Sequence, residues 1–229
     1  MKKLGLVGGI SWVSTTDYYR YINEGVNRKL GGLNYAECLI YSVNFQQIHD
    51  NNTKGDWDAT FQLLSEACDS LQKAGAAGIL LCANTMHLLA ERIATHIQVP
   101  LIHVAEATAA VIKAQELKKV ALLGTRFTME QDFFKNKLAE QGIETVVPDE
   151  AGRAYIAEKL EAELYKGIVK EETRASLLQI IDQLVANGAE GVVLGCTEIP
   201  LLIQQQHLSV PAFDTTKIHS DAAVTFALS

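Results

Sequence analysis

The sequence predicts an α/β protein of two pseudo-symmetric lobes, each an open, mostly parallel sheet flanked by helices. A gapless repeat is the first observation: residues 73–89 (KAGAAGILLCANTMHLL) align with residues 186–202 (ANGAEGVVLGCTEIPLL) at an offset of 113. Two further pairs recur at offsets of 116 and 111, namely residues 4–8 with 120–124 and residues 99–103 with 210–214. Three such similar offsets indicate an internal duplication.

Short apolar runs that end in glycine, proline or polar residues predict the strands. They lie at residues 4–7, 37–44, 99–103, 119–123, 143–147, 192–194 and 210–214, together with the run before Ala83. Apolar residues at spacings of three and four predict the intervening helices. The helices lie at residues 17–30, 56–74, 106–117, 128–141, 151–165, 171–187 and 217–228, and two more begin after Thr85 and Pro200.

The second repeat copy places Gly195-Cys196-Thr197-Glu198 at the carboxyl end of a buried strand, where open α/β sheets bind ligands. A helix expected to begin just after Cys196 would lower the pKa of its thiol. In the gapless alignment of the two repeat copies, Cys196 aligns with Ala83. Cys82 is adjacent to Ala83 and therefore points to the opposite face of the strand. We expect the active site in the cleft between the lobes, with these two turns facing one ligand.

Domain boundaries follow from the same repeat. We expect an N-terminal lobe of residues 1–100 plus 210–229 and a C-terminal lobe of residues 101–209. In this division the last helix belongs to the N-terminal lobe. The segment after Val99-Pro100 passes to the C-terminal lobe, so by the repeat we expect the segment after Val210-Pro211 to pass back to the N-terminal lobe. The turn Gly8-Gly9-Ile10-Ser11-Trp12 ends the first strand and presents backbone N–H groups and Ser11, as an anion site does. A simple tight turn explains it equally well.

Composition favours a small-molecule ligand. The formal charge is −7 with interspersed signs, which gives no basic patch for nucleic acid and no basic amphipathic helix for a membrane. No apolar run is long enough to span a bilayer, so we expect a cytoplasmic protein. The four cysteines lack paired spacing, and the six histidines lack metal-ligand spacing. We therefore expect no metal and no disulfide framework, and we expect a homodimer.

Five segments resemble the aspartate/glutamate racemase family, and the resemblance covers essentially the whole chain: GLVGGISW, ILLCANTMH, ALLGTRFTMEQDF, LGCTEIPLL and VPAFDTTKIH. It implies racemisation of an acidic amino acid without a cofactor, by two opposed cysteines. Carried across by position, Cys196 matches the second catalytic cysteine and Ala83 stands in place of the first. The substrate-binding residues implied are Ser11, Asn84, Thr85, Thr125, Thr197 and Lys166.

Alanine at position 83 departs from the family pattern. It has no titratable group, so a neighbouring group or a water would have to relay the second proton. An alanine introduced in place of cysteine or threonine would explain the sequence equally well. Two other functions remain open: a one-thiol decarboxylase resembling arylmalonate decarboxylase, and an acidic amino-acid binding protein without turnover. The sequence leaves aspartate and glutamate undistinguished.

Overall fold

The computed structural model describes all 229 residues and confirms the fold class. The chain divides into two compact units, Met1–Val104 with His219–Ser229 (unit 1) and Ala105–Ile218 (unit 2). Each unit contains one four-stranded parallel sheet flanked by helices, and the strand orders β2-β1-β3-β4 and β6-β5-β7-β8 follow the same pattern. None of the helices is both long and apolar enough to cross a membrane.

Unit 1 is built around β1 and β3, whose side chains are buried on both faces. Its strands are β1 (Leu4–Gly8), β2 (Cys38–Ser42), β3 (Gly78–Leu81) and β4 (Leu101–Ile102), and its helices are α1 (Trp12–Leu30), α2 (Phe45–Lys54), α3 (Trp57–Lys73), α4 (Ala90–His96) and a 3₁₀ helix at Asn84–Leu89.

Unit 2 begins within α5 (Val104–Ala114). Its strands are β5 (Lys119–Gly124), β6 (Glu144–Val146), β7 (Val192–Gly195) and β8 (Ala212–Asp214). The helices that follow α5 are α6 (Arg126–Glu130), α7 (Asp132–Ala139), α8 (Glu150–Ala162) and α9 (Glu171–Ala186), with 3₁₀ helices at Leu164–Lys166, Ile199–Leu201 and Gln205–His207. The last helix, α10 (Thr215–Leu228), starts in unit 2 and ends in unit 1.

Two expectations about the elements were wrong. Helix α2 was not predicted, because Ile48 is its only buried residue and an apolar face is therefore missing from the sequence. The side chain of Asn44 caps it by accepting a hydrogen bond from the Gln46 N–H at 3.1 Å, and Gly55 ends it in the left-handed conformation. The expected single helix at 128–141 is two helices, α6 and α7, which meet at Gln131 in extended conformation.

The expected lobe boundaries at residues 100 and 210 also require correction. Strand β4, assigned to the C-terminal lobe, pairs with β3 and completes the sheet of unit 1. Strand β8, assigned to the N-terminal lobe, pairs with β7 and completes the sheet of unit 2. Strand β4 covers the edge of β3, and β8 covers the edge of β7. The chain therefore passes from one unit to the other only after the fourth strand of each sheet.

The end of α10 packs on unit 1. Ala223, Val224 and Ala227 lie in one buried cluster with Leu4, Leu6, Tyr18, Ile22, Val26, Leu80 and Cys82. Gly25 of α1 allows the close approach, since a Cβ atom there would lie 2.9 Å from Val224 Cγ2. His219 is fully buried in the same unit, where its Nδ1 lies 2.8 Å from the Tyr18 hydroxyl and its Nε2 lies 2.7 Å from the Ile102 carbonyl oxygen.

We expect His219 to make the stability of unit 1 pH-dependent. Burial, and then the nearby charge of His87, lower the pKa of His219 from 6.5 to about 3. Below pH 6.5 the unfolded chain therefore binds a proton that the folded protein does not bind, and the free energy of unfolding falls between about pH 6.5 and pH 3. At pH 4.5 the loss should be roughly 2 to 3 kcal/mol.

The measurement is urea unfolding followed by tryptophan fluorescence, because Trp12 and Trp57 both lie in unit 1. His219→Gln should unfold with a flatter dependence on pH between 6.5 and 4.5 than the unchanged protein. His49→Gln, at an exposed position of α2, is the matched control. Parallel pH curves for the unchanged protein and the His219→Gln variant would contradict the prediction.

Candidate active site

Cys196 leaves the sheet of unit 2 directly after β7. The last residue of β7, Gly195, lies opposite Gly124 of β5. A Cβ atom at Gly195 would lie 2.7 Å from the Leu123 carbonyl oxygen, so a residue with a side chain would push the two strands apart. Glycine at this position therefore lets Cys196 and Thr125 emerge side by side at the carboxyl edge of the sheet.

The Cys196 thiol is held by two polar side chains. Its Sγ donates to Glu198 Oε2 at 3.2 Å, and the Thr197 hydroxyl donates to the same oxygen at 2.7 Å. The Tyr165 hydroxyl also hydrogen-bonds the sulfur. Cys196 and Glu198 are only 5% and 3% exposed, so these contacts lie in a largely dehydrated environment. The sulfur is therefore placed between a hydroxyl that can stabilise a thiolate and a carboxylate that can accept its proton.

The expectation that a helix lowers the pKa of Cys196 was wrong. Burial, followed by the negative charge of Glu198, raises the pKa of this thiol well above its usual value. The segment after it is a 3₁₀ helix of three residues, Ile199–Leu201, which includes Pro200 instead of following it. So short a helix has little dipole, whereas the Glu198 carboxylate is in direct contact. Cys196 is therefore a protonated thiol in this structure.

Thr125 caps a helix, whereas Lys166 directly follows a residue that contacts the Cys196 thiol. Thr125 caps α6, since its Oγ1 accepts from the Thr128 N–H at 3.1 Å. Lys166 is exposed at the end of its 3₁₀ helix, and its ammonium group makes no ion pair. The preceding residue, Tyr165, is the one that contacts Cys196. The sequence did not predict Tyr165 as a site residue, because its neighbours in the sequence give no sign that an aromatic residue at a helix end has a function.

A buried carboxylate fixes the segment that carries Tyr165 and Lys166. Glu163, 4% exposed, accepts from the Thr173 hydroxyl at 2.7 Å and from the Lys170 ammonium at 3.1 Å. The Glu163 carboxylate therefore links the end of α8 to the first turn of α9. Glu198 was also missed as a site residue, although its place two positions after Cys196 was a usable signal.

In unit 1, four predicted site residues follow β1 and β3, which are neighbours in the sheet. Ser11 precedes α1, and its carbonyl oxygen accepts from the Ser14 and Thr15 hydroxyls at 3.0 and 2.9 Å. Ala83 is 8% exposed and precedes the 3₁₀ helix that begins with Asn84 and Thr85. Because Val7 lies opposite Leu81 in the parallel pair, both turns leave the same carboxyl edge.

Cys82 lies on the other face of β3 from Ala83. Its side chain is fully buried among Tyr18, Ile22 and the α10 residues, whereas Ala83 packs in the cluster that includes Val7 and Leu81. Burial raises the pKa of the Cys82 thiol far above its usual value. Cys82 therefore cannot serve as the acid/base that Ala83 lacks, and the repeat register is not displaced by one residue.

Three histidines form a cluster, and one of them, His87, contacts Ala83. The His87 Nδ1 lies 3.1 Å from the Ala83 carbonyl oxygen, and the Val104 N–H donates to its Nε2 at 3.3 Å. Its ring centroid is 4.7 Å from that of His103 and 5.6 Å from that of His219. The hydrogen bond to Ala83 makes His87 a polar contact at the start of the 3₁₀ helix Asn84–Leu89. The histidine cluster itself joins three distant segments and carries no local sequence signal.

Comparison with known proteins identifies the family. The model of the Asp/Glu/hydantoin racemase family matches residues 7–223. The chain belongs to this family. A crystal structure of a candidate Asp/Glu racemase from Yersinia pestis is 47% identical, with a TM-score of 0.94 and 100% of both chains covered. An aspartate racemase homologue from Pyrococcus horikoshii is 35% identical over 100% of both chains, with a TM-score of 0.88.

This chain is also similar to the broad specificity amino-acid racemase RacX of Bacillus subtilis, with 23% identity over 99% of this chain and 98% of the length of RacX. The match of the family model over most of the chain makes this protein an isomerase of the racemase type, with an Asp/Glu racemase-type function. The family resemblance read from the sequence is thereby confirmed.

We expect the negative charge of the Glu198 carboxylate to lower the fraction of Cys196 that is thiolate in the resting protein. In Glu198→Gln the adjacent negative charge is gone, so the pKa of the thiol should fall and the thiolate fraction should rise about tenfold for each unit of that fall. Iodoacetamide alkylation of the Cys196 peptide, followed by mass spectrometry against pH, measures the change. The alkylation profile should move to lower pH in Glu198→Gln and stay in place in Glu172→Gln, a change at an exposed residue. A shift to higher pH would contradict the assignment.

Proposed function

We propose that the protein is a cofactor-independent racemase that inverts the α-carbon of aspartate, glutamate or both, with Cys196 as a thiol acid/base. The observation that carries the proposal is the contact of the Cys196 thiol with the Glu198 carboxylate at the carboxyl end of β7. Proton abstraction next to a carboxylate requires a base that can be made at the site and then returned to its acid form. A thiol in contact with a carboxylate has this property.

The proton moves in two steps in this mechanism. First, the Cys196 thiol gives its proton to Glu198 Oε2, and the Tyr165 hydroxyl stabilises the resulting thiolate. The thiolate then removes the α-hydrogen, which leaves a carbanion on the α-carbon and restores the thiol. A water on the opposite face gives a proton to the carbanion and completes inversion, and the hydroxide that remains is neutralised by the proton that Glu198 releases, which restores the carboxylate. Protonation by Cys196 itself returns the starting enantiomer, and Glu198 then gives its proton back to the thiolate.

Substrate carboxylates need donors and at least one cation. We propose that Lys166 binds the side-chain carboxylate, because it is an exposed ammonium group without an ion pair that directly follows Tyr165. The polar groups that we propose for the amino-acid part are Ser11, Asn84, Thr85, Thr125 and Thr197. All five lie in the segments that directly follow β1, β3, β5 and β7.

The replacement of a thiol by Ala83 leads us to expect that the two enantiomers lose their α-hydrogens at different rates. In deuterium oxide, the enantiomer whose α-hydrogen is taken by Cys196 should exchange faster. Cys196→Ser should reduce this exchange and the overall racemisation by about 100-fold or more, the effect of losing an acid/base group. Ala83→Cys should accelerate the slower exchange. Mass spectrometry of the α-deuterium and chiral chromatography measure both quantities.

Cys38→Ser is the matched control, since it removes a half-buried thiol on β2 and should leave both rates unchanged. The proposal fails if neither the unchanged protein nor Ala83→Cys interconverts aspartate, glutamate or other amino acids. Tight calorimetric binding of aspartate without any deuterium incorporation would instead identify a binding protein. Carbon dioxide release from an arylmalonate would identify the decarboxylase.

We also propose a cytoplasmic homodimer. Support for the dimer comes from large apolar side chains exposed on unit 1, in α1, in the turn after it and on the edge strand β2. They are Trp12, Tyr19, Leu33, Tyr35, Ile40 and Tyr41, with exposures from 38% for Tyr41 to 88% for Leu33. The turn is held against α1, because the side-chain oxygen Oδ1 of Asn23 accepts a hydrogen bond from the Ala36 N–H at 3.0 Å. Such a surface favours burial against a second copy.

Sedimentation equilibrium should give a mass of twice 25.0 kDa at micromolar concentration. The double change Leu33→Ser and Tyr35→Ser removes two exposed apolar side chains of this surface and should shift the protein towards the monomer. Ile168→Ser, at an exposed apolar residue of unit 2, should leave the dimer intact. A monomer at all concentrations would rule out the dimer.

A further inference from the structure

A short loop in unit 2 presents Tyr165 to the Cys196 thiol. The loop follows α8, and Glu163 closes it, because its backbone carbonyl oxygen accepts from the Lys166 and Ile168 N–H groups, both at 3.0 Å. Tyr165 therefore lies inside a loop that is held by hydrogen bonds to the residue two positions before it.

The Glu163 side chain anchors this loop to α9. Its buried carboxylate accepts from the Thr173 hydroxyl at 2.7 Å and from the Lys170 ammonium group at 3.1 Å, and the Lys159 ammonium group lies 3.7 Å away. The Thr173 hydrogen bond, and then the two ammonium groups, outweigh burial and lower the pKa of Glu163 below its usual value. The carboxylate is therefore ionised at neutral pH, and Thr173 is its buried neutral donor.

The next residue of α9 anchors the segment that carries Cys196. Arg174 Nε donates to the Leu202 carbonyl oxygen at 2.9 Å. The Leu202 N–H donates to the Ile199 carbonyl oxygen at 2.9 Å, and the Ile199 N–H donates to the Cys196 carbonyl oxygen at 3.1 Å. Consecutive residues of α9, Thr173 and Arg174, therefore hold the two segments that meet at the sulfur.

The contacts of the sulfur differ in how they are held. Burial and then the Glu198 carboxylate disfavour the thiolate of Cys196, whereas the Glu198 N–H and the Tyr165 hydroxyl favour it. The N–H belongs to the chain directly after Cys196. The hydroxyl comes from a separate segment, so its contact with the sulfur depends on what fixes that segment.

We propose that Glu163 is a positioning residue of the racemase, which through its bond to Thr173 holds the Tyr165 hydroxyl on the Cys196 sulfur; this inference rests on the proposed function. Glu163 acts on the reaction only through Tyr165. The Tyr165 hydroxyl donates to the thiolate that forms when the thiol gives its proton to Glu198. When the anchor is lost, the hydroxyl leaves the sulfur and the thiolate fraction falls.

Thr173→Val tests the proposal, because it removes the hydroxyl that Glu163 accepts and keeps the size of the side chain. Iodoacetamide alkylation of the Cys196 peptide, measured by mass spectrometry at about pH 9, should slow by about tenfold, the order expected for losing one hydrogen bond to a charged atom. Racemisation should fall by a similar factor. Thr173→Ser keeps a donor and should restore both rates. Ser176→Ala is the matched control on α9, since the Ser176 hydroxyl donates to the Glu172 carbonyl oxygen, and should leave both unchanged.

A double-mutant cycle with Tyr165→Phe separates positioning from a general structural role. Tyr165→Phe should slow alkylation as Thr173→Val does, and Thr173→Val should change the rate by less than about twofold once Tyr165 is Phe, because the two changes remove the same contact. If Thr173 and Glu163 only supported the fold, Thr173→Val would loosen the site, expose the sulfur and speed alkylation. Faster alkylation, an unchanged rate or an effect that adds to that of Tyr165→Phe would each overturn the proposal.

The alkylation rates need no substrate, so the positioning role and the racemase function are tested separately. The racemase function fails if the unchanged protein turns over no amino acid. Racemisation at the unchanged rate in Thr173→Val would overturn the positioning role and leave the racemase function intact.

Discussion

The parallel pairing of the two central strands in each sheet is the constraint on which the candidate site depends. Strands β1 and β3, and likewise β5 and β7, are buried on both faces, and each pair runs in register to its carboxyl end. Polar side chains can appear only where these apolar strands stop. For this reason Ser11 and Ala83 lie in adjacent turns, and so do Thr125 and Cys196.

At the Cys196 turn, dehydration has two opposite effects. It raises the free energy of the thiolate, and the Glu198 carboxylate raises it further. The same low exposure strengthens the hydrogen bonds from Tyr165 and to Glu198 that surround the sulfur. In the proposed mechanism, the resting thiol becomes a base only when its proton moves to the neighbouring carboxylate.

The two ends of the chain are joined in unit 1 by polar as well as apolar contacts. His219 of α10 bonds the Tyr18 hydroxyl of α1 and the Ile102 carbonyl oxygen at the end of β4. The low pKa of His219 keeps its imidazole neutral, so both hydrogen bonds persist across the neutral pH range. The C-terminal helix therefore fixes the backbone beside His103 and the Ala83 turn, in addition to covering the core with Ala223 and Val224.

The sequence by itself determined the duplication, the parallel α/β architecture and the turns that carry Ser11, Ala83, Thr125 and Cys196, because strand periodicity and glycine placement are local properties of the chain. It also separated Cys82 from Ala83, since neighbouring strand residues face opposite ways. Only the tertiary structure decided the assignment of β4 and β8 to their sheets, because strand pairing depends on distant partners. The protonated state of Cys196 and the cluster of His87, His103 and His219 depend on burial and on contacts between distant segments, which no local pattern encodes.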